Sequence, residues 1–198
     1  MIIFLVDFED SYTFNIAADW SLFNHFKLRV INHRDFVAKK MEIFYQEKSR
    51  VHFFLGPGPG HPQDYLKVLK KIQFILKKFN ETKFLGVCLG HQMVLTLKNE
   101  SVEKSLDPKH GRQELIELNK SWQKKLFIPI NTITVQRYNS LGIIPLKTNR
   151  SSHLLSAMGE SMVFQDERFY TYQFHPESIG TLNKKYYFES MLKWLFSS

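Results

Sequence analysis

A single cysteine, Cys88, stands among the 198 residues. That excludes an internal disulfide and any metal site built on several thiolates. No apolar run approaches the roughly 20 residues that a membrane-spanning helix needs. The short run from Ile2 to Val6 ends at Asp7 without a basic leader, so no secretory signal is expected and a cytoplasmic location is. Repeats, low-complexity tracts and Gly/Ser linkers are also missing, and one domain over 1–198 is the expectation.

Acidic residues are the scarcer sign: 19 Asp and Glu against 27 Lys and Arg, a net charge of +8. A nucleic-acid binder would concentrate its basic residues on one stripe with readers among them. Here they fall in scattered pairs, such as Lys39-Lys40, Lys77-Lys78 and Lys184-Lys185, beside apolar runs at helical spacing. Solvated helix faces are expected, and no nucleic-acid partner. What is abundant is phenylalanine, at 18 residues, which points to a core filled with rings.

Apolar runs at 2–6, 28–31, 51–55 and 84–87 read as strands, the first continuous enough to be buried on both faces. Between them, Asp10 or Ser11 can cap a helix carrying Phe14, Ile16, Ala17 and Trp20. Residues 64–79 place Leu66, Leu69, Ile72, Ile75 and Leu76 on one helical face. Shorter strands of mixed direction follow at 115–118, 132–135, 162–165 and 170–174, and a helix at 184–196 closes the chain with Tyr187, Met191, Trp194 and Leu195 packed. The fold class is α/β: a largely parallel central sheet flanked by helices, with a smaller mixed or antiparallel sheet.

Three segments carry chemistry. Gly86-Val87-Cys88-Leu89-Gly90-His91-Gln92 follows a buried strand and precedes an apolar helical stretch, the arrangement of a nucleophile elbow. The helix start favours an anion at Cys88, and N–H groups there, notably that of Leu89, can receive an oxyanion. In Phe174-His175-Pro176-Glu177-Ser178, residues two apart on an extended segment share a face, so His175 and Glu177 can act as base and orienting acid. Gly56-Pro57-Gly58-Pro59-Gly60 is a rigid loop that can bring backbone N–H groups to a substrate. It lacks the Lys-Ser/Thr of a phosphate-binding loop, so a nucleotide is not expected. No cofactor and no metal are implied.

Taken together, these segments resemble the signatures of class I glutamine amidotransferases. Asp7-Phe8-Glu9-Asp10-Ser11-Tyr12-Thr13-Phe14-Asn15 is similar to the N-terminal segment of the glutaminase subunits of anthranilate and aminodeoxychorismate synthases. His110-Gly111 and Arg137-Tyr138-Asn139-Ser140-Leu141 resemble two later marks of that branch. The resemblance implies a catalytic triad of Cys88, His175 and Glu177, and an oxyanion hole from the N–H groups of Gly58 and Leu89. It implies a glutamine site made by Gly58, Pro59, Gly60, Gln92, Ser140 and Leu141. The partners implied are L-glutamine and a chorismate-using synthase subunit, with Asp10, Ser11 and Asn15 facing the latter.

The chain departs from the family pattern at Asn99-Glu100, where Gly-Gly is usual, at Asn139 for the usual His, and at Arg112 for the usual Lys. None of these removes a triad group. Two other readings remain at this stage: a stand-alone cysteine hydrolase sharing the elbow, and a structural or regulatory subunit retaining the fold.

Overall fold

In the computed structural model, residues 24–25, 41–43, 46–49 and 198, and the side chains of 147–149, lie outside the described residues. The central sheet has the order β2-β1-β3-β4-β11-β10-β9. Its parallel part comprises β1 (Ile2–Asp7), β2 (Lys27–Asn32), β3 (Val51–Leu55), β4 (Phe84–Val87) and β11 (Phe169–Tyr172). Strands β10 (Ser161–Gln165) and β9 (His153–Leu155) extend it antiparallel.

Alternation along these strands builds two cores. Ile3 and Leu5 of β1 point to one face, with Phe54, Leu85 and Tyr170 from neighbouring strands. That face is covered by α1 (Thr13–Ser21), α5 (Lys120–Leu126) and α6 (Lys184–Phe196), through residues such as Ile16, Trp20, Trp122 and Met191. Ile2, Phe4 and Val6 point to the other, with Val51, Phe53 and Phe84. There α2 (His33–Ala38), α3 (Leu66–Lys78) and α4 (Leu89–Leu97) close the layer. Rings dominate this second core: Phe44 and Phe53 meet each other and each meets both Phe4 and Phe36, at 4.9–6.0 Å, distances at which aromatic edges and faces attract. The three-layer α/β architecture and the ring-filled core are as the sequence predicts.

Some local expectations need correction. Leu66 is 56% exposed, and Val68 is buried in its place. The reason is a short 3-10 turn, Pro62–Tyr65, which delays the start of α3 and rotates its apolar face. Asp10 caps only indirectly. Its Oδ1 accepts from the Tyr12 N–H at 2.8 Å, and one tight turn leads into α1, whose N-cap position is Tyr12. Helices α2 and α5 occupy stretches for which the sequence suggested no element. The antiparallel pair β6 (Arg112–Glu117) and β7 (Thr132–Arg137) forms a separate ribbon, and β5 (Glu103–Lys104) pairs with β8 (Leu141–Gly142).

Candidate active site

The carboxyl ends of β1, β3, β4 and β11 converge, and in an open parallel sheet that edge is where ligands bind. At the end of β4, Cys88 takes φ 53 and ψ −104, outside the regions open to an ordinary L-residue. Such a conformation costs about 1–3 kcal/mol and persists only where surrounding contacts impose it. Here the Cys88 N–H donates to the Tyr172 carbonyl at 2.9 Å, and its own carbonyl accepts from the Gln92 N–H at 3.1 Å, opening α4. The flanking glycines are steric necessities. A Cβ on Gly90 would lie 2.1 Å from the Leu55 carbonyl oxygen, and one on Gly86 would lie 2.8 Å from Gly90.

Beyond β11 the chain does not keep the extended form expected from the sequence: residues 173 and 174 bend, and a turn closed by the Ser178 N–H on the His175 carbonyl at 3.2 Å brings His175 and Glu177 together. His175 Nδ1 and Glu177 Oε1 are 2.6 Å apart, and both residues are 2% exposed. The backbone beneath them is held firmly. The His175 N–H donates to the Gln136 carbonyl at 3.0 Å, and Lys184 Nζ donates to the Glu177 carbonyl at 2.6 Å. Burial opposes a charge on His175, but the Glu177 carboxylate and Cys88 outweigh it and hold the imidazole pKa well above its ordinary value. Cys88 is among the groups that favour the charged imidazole, and apart from the thiol Nε2 has no hydrogen-bond partner among the described residues. That leaves Nε2 as the atom available for proton transfer.

Beside Cys88 lies a small cavity of about 160 Å³ lined by Gly58, Pro59, Gly60, Gln92, Tyr138, Asn139, Ser140 and Leu141. This is below the roughly 300 Å³ where drug-sized ligand sites begin, and it suits a small polar metabolite. Every residue expected to bind the substrate is here. Leu89 does not line it but is buried under Gly58, where a Cβ would meet Leu89 Cδ2 at 2.7 Å. Gln92 Nε2 donates to the Leu141 carbonyl and to Gln173 Oε1, each at 3.1 Å, so the amide is locked in place. Ser11 and Asn15 lie exposed on the adjoining surface, with Asp10 half-buried. Larger hollows occur between α1 and α6 and at the opposite sheet edge, but neither Cys88 nor His175 lines them.

Sequence reasoning gave no role to Tyr12, Arg137 or Asn139, though all three lie within the quoted segments. Arg137 is fully buried and paired with Glu114 at 2.5 Å and Glu160 at 2.7 Å. The sequence places Arg137 in a signature segment but carries no sign of its burial or of its partners. Among the described residues no group of three or more His, Cys, Asp or Glu could hold a metal, and no helix is long and apolar enough to cross a membrane.

An elbow thiol, a buried base–acid pair and a polar cavity are groups of the kind that thiol-based acyl transfer requires. Solved structures place the fold. A glutamine amidotransferase from Thermotoga maritima superposes with a TM-score of 0.72 at 19% identity, covering 98% of this chain and 84% of that one. A protein from Thermoplasma acidophilum, provisionally assigned as a GMP synthase subunit, superposes at 0.78 and 18% identity, covering 98% and 94%. The family model for glutamine amidotransferase class-I matches residues 4–194, and the chain belongs to that family. This sets aside the stand-alone hydrolase of another family. Among curated relatives, anthranilate synthase component 2 of Cyanidium caldarium is 31% identical over 190 residues, covering 91% of this chain and 92% of the relative. The pyocyanine-specific anthranilate synthase component 2 of Pseudomonas aeruginosa is 30% identical, covering 98% and 94%. A Schizosaccharomyces pombe protein provisionally named aminodeoxychorismate synthase is 27% identical over 199 residues, which make up 26% of its length.

Proposed function

We propose that this chain is the glutaminase component of a two-subunit synthase that aminates chorismate, of the anthranilate or aminodeoxychorismate type. The observation that carries the reading is the convergence of the strained Cys88, the buried His175–Glu177 pair and the 160 Å³ polar cavity at one sheet edge. The relatives named as component 2 support a separate component I as partner, in a heterodimer.

The chemistry follows from the groups present. Cys88 Sγ, relieved of its proton by His175, attacks the side-chain amide carbon of L-glutamine. The oxyanion that forms is received by the N–H groups of Gly58 and Leu89, a donor pair in which each member is worth about 10²–10³ in rate. His175 Nε2 then protonates the amide nitrogen, the C–N bond breaks, and ammonia leaves. Water, deprotonated by His175, attacks the glutamyl thioester, and collapse releases glutamate and the thiol. Glu177 fixes the imidazole through Nδ1 and stabilises its cation in both halves. Gln92, Ser140 and Leu141 hold the α-amino and α-carboxylate groups of glutamine. The ammonia passes to component I, which docks over the surface carrying Asp10, Ser11 and Asn15.

The test is glutamate release from L-glutamine by the purified chain, alone and with candidate component I subunits of each type. Release stimulated by one partner and abolished by Cys88→Ala supports the reading and names the synthase. Glutaminase activity near wild type in Cys88→Ala would sink it.

A further inference from the structure

Tyr12 stands against the imidazole of His175, with ring centroids 5.2 Å apart and planes at 61°. Tyr138 approaches the same imidazole at 5.0 Å and 80°, and the two tyrosines meet each other at 5.1 Å. The three rings close a triangle with the histidine at one corner. Glu177 holds that imidazole at one atom only, Nδ1. One hydrogen bond leaves a ring free to tilt about the contact. Proton transfer at Nε2, in contrast, requires the ring to stay within about 0.5 Å and 10–20° of its working geometry. Contacts from two tyrosine rings restrict the tilt that the carboxylate cannot.

Tyr12 itself is fixed from the sheet. Asp7, the last residue of β1, accepts through Oδ1 from the Glu9 N–H at 3.0 Å and from Thr13 Oγ1 at 2.8 Å, shaping the loop. The Asp10 carboxylate then takes the Tyr12 N–H at 2.8 Å, and the helix that follows is anchored by buried Ile16 and Trp20. On the other side, Tyr138 is tied by its hydroxyl to Ser178 Oγ at 3.1 Å, three residues beyond His175. The Tyr138 hydroxyl, burial and the Glu177 charge push the Tyr12 phenol up to about 12. Tyr12 therefore stays neutral at physiological pH and acts as a ring, not as a charge.

We propose that Tyr12 is a positioning residue for His175: its ring, together with that of Tyr138, sets the plane of the imidazole, and the aromatic contact rather than the hydroxyl does this. The inference rests on reading Cys88, His175 and Glu177 as the triad. It also means that a single side chain links the surface around Ser11 and Asn15 to the reacting centre. A shift at the start of α1 moves Tyr12, and the imidazole with it.

The experiment compares kcat and KM for L-glutamine in Tyr12→Ala, Tyr12→Leu and Tyr12→Phe. It uses the complex that shows Cys88-dependent glutamate release, with melting temperatures as a check on folding. Tyr12→Ala and Tyr12→Leu, the second of which keeps bulk without a ring, lose at least about ten-fold in kcat. Their KM stays within about three-fold of wild type, because the substrate cavity does not include Tyr12. Tyr12→Phe retains wild-type kcat. Unchanged kcat in the folded Leu variant, a loss confined to KM, or a Phe variant as impaired as Ala would each overturn the role of Tyr12 alone. Absence of Cys88-dependent release in the wild-type complex would overturn the glutaminase reading and this inference with it.

Discussion

Arg137 donates through Nε to Oδ1 of Asn139 at 3.0 Å, and that bond decides which way the Asn139 amide faces. With Oδ1 committed, Nδ2 donates to the Leu141 carbonyl at 2.8 Å. Gln92 reaches the same carbonyl, so two side-chain donors fix the Ser140-Leu141 segment beside Cys88. Asn139 stands where the family resemblance leads one to expect His. In this chain it completes a clasp that depends on a buried guanidinium.

Replacing Asn139 with Asp keeps the acceptor for Arg137 but removes the donor to Leu141 and adds a negative charge at the cavity wall. The expected result is a rise of about ten-fold or more in KM for glutamine, with a smaller change in kcat, the loss being a hydrogen bond of about 1–2 kcal/mol. Steady-state glutaminase kinetics check it. Arg137→Met is predicted to act on stability instead. It leaves Glu160 buried and Glu114 partly buried without their cation, at a cost of about 3–5 kcal/mol measurable by denaturant unfolding.

Asn99, another of the departures, has a structural reason. It sits at φ 63 just past the end of α4. Its N–H donates to the Thr96 carbonyl at 3.0 Å, and the Glu100 N–H donates to the Leu95 carbonyl at 2.9 Å, a left-handed helix stop. Gly or Asn suits that position and most other residues do not. Asn99→Ala should cost about 1 kcal/mol and lower the melting temperature, whereas Asn99→Gly should not. Glutamine hydrolysis should be unaffected in both, since Asn99 does not line the cavity.

Three buried histidines give the fold an acid limit. Burial lowers His91 to about 3, and burial together with nearby cations lowers His52 to about 4. His153 is lowered to about 4 by burial. Each group is neutral in the folded chain and binds a proton more readily once unfolded. Their contribution is therefore fully present above the unfolded value of 6.5 and is lost as pH falls towards 4. Unfolding free energies across that window should drop by several kcal/mol on descending from pH 7 to pH 4. His175 runs the other way. Its pKa is raised by Glu177 and Cys88 against the effect of burial, so its contribution is present below 6.5 and fades as pH rises through the folded value.

The parts of this molecule that were legible in the sequence share a physical cause. β1 and β3 are buried on both faces, so β1 appears as an apolar run unbroken from Ile2 to Val6 and β3 as one interrupted only by His52. The elbow needs Gly86 and Gly90 because no Cβ fits there, and the need is visible as spacing. The strands of the β6–β7 ribbon were read with shorter bounds than they have, and helix α5 was not read, because their burial is one-sided. Leu115, counted as a strand residue, is 67% exposed. Tyr12 and Arg137 escaped for a different reason: what they do depends on partners 163 and 23 residues away in the chain, Tyr12 on His175 and Arg137 on Glu160, and no local pattern records such a meeting.

The central claim is that Cys88 carries a glutamyl group during turnover. Acid quenching of the chain, with the proposed component I present, while it hydrolyses glutamine should yield a Cys88 peptide bearing the mass of a glutamyl adduct. The adduct should be absent in Cys88→Ser and should vanish when glutamine is exhausted. Glutamate formed at an undiminished rate by Cys88→Ser, with no adduct on the wild-type peptide, would contradict the account.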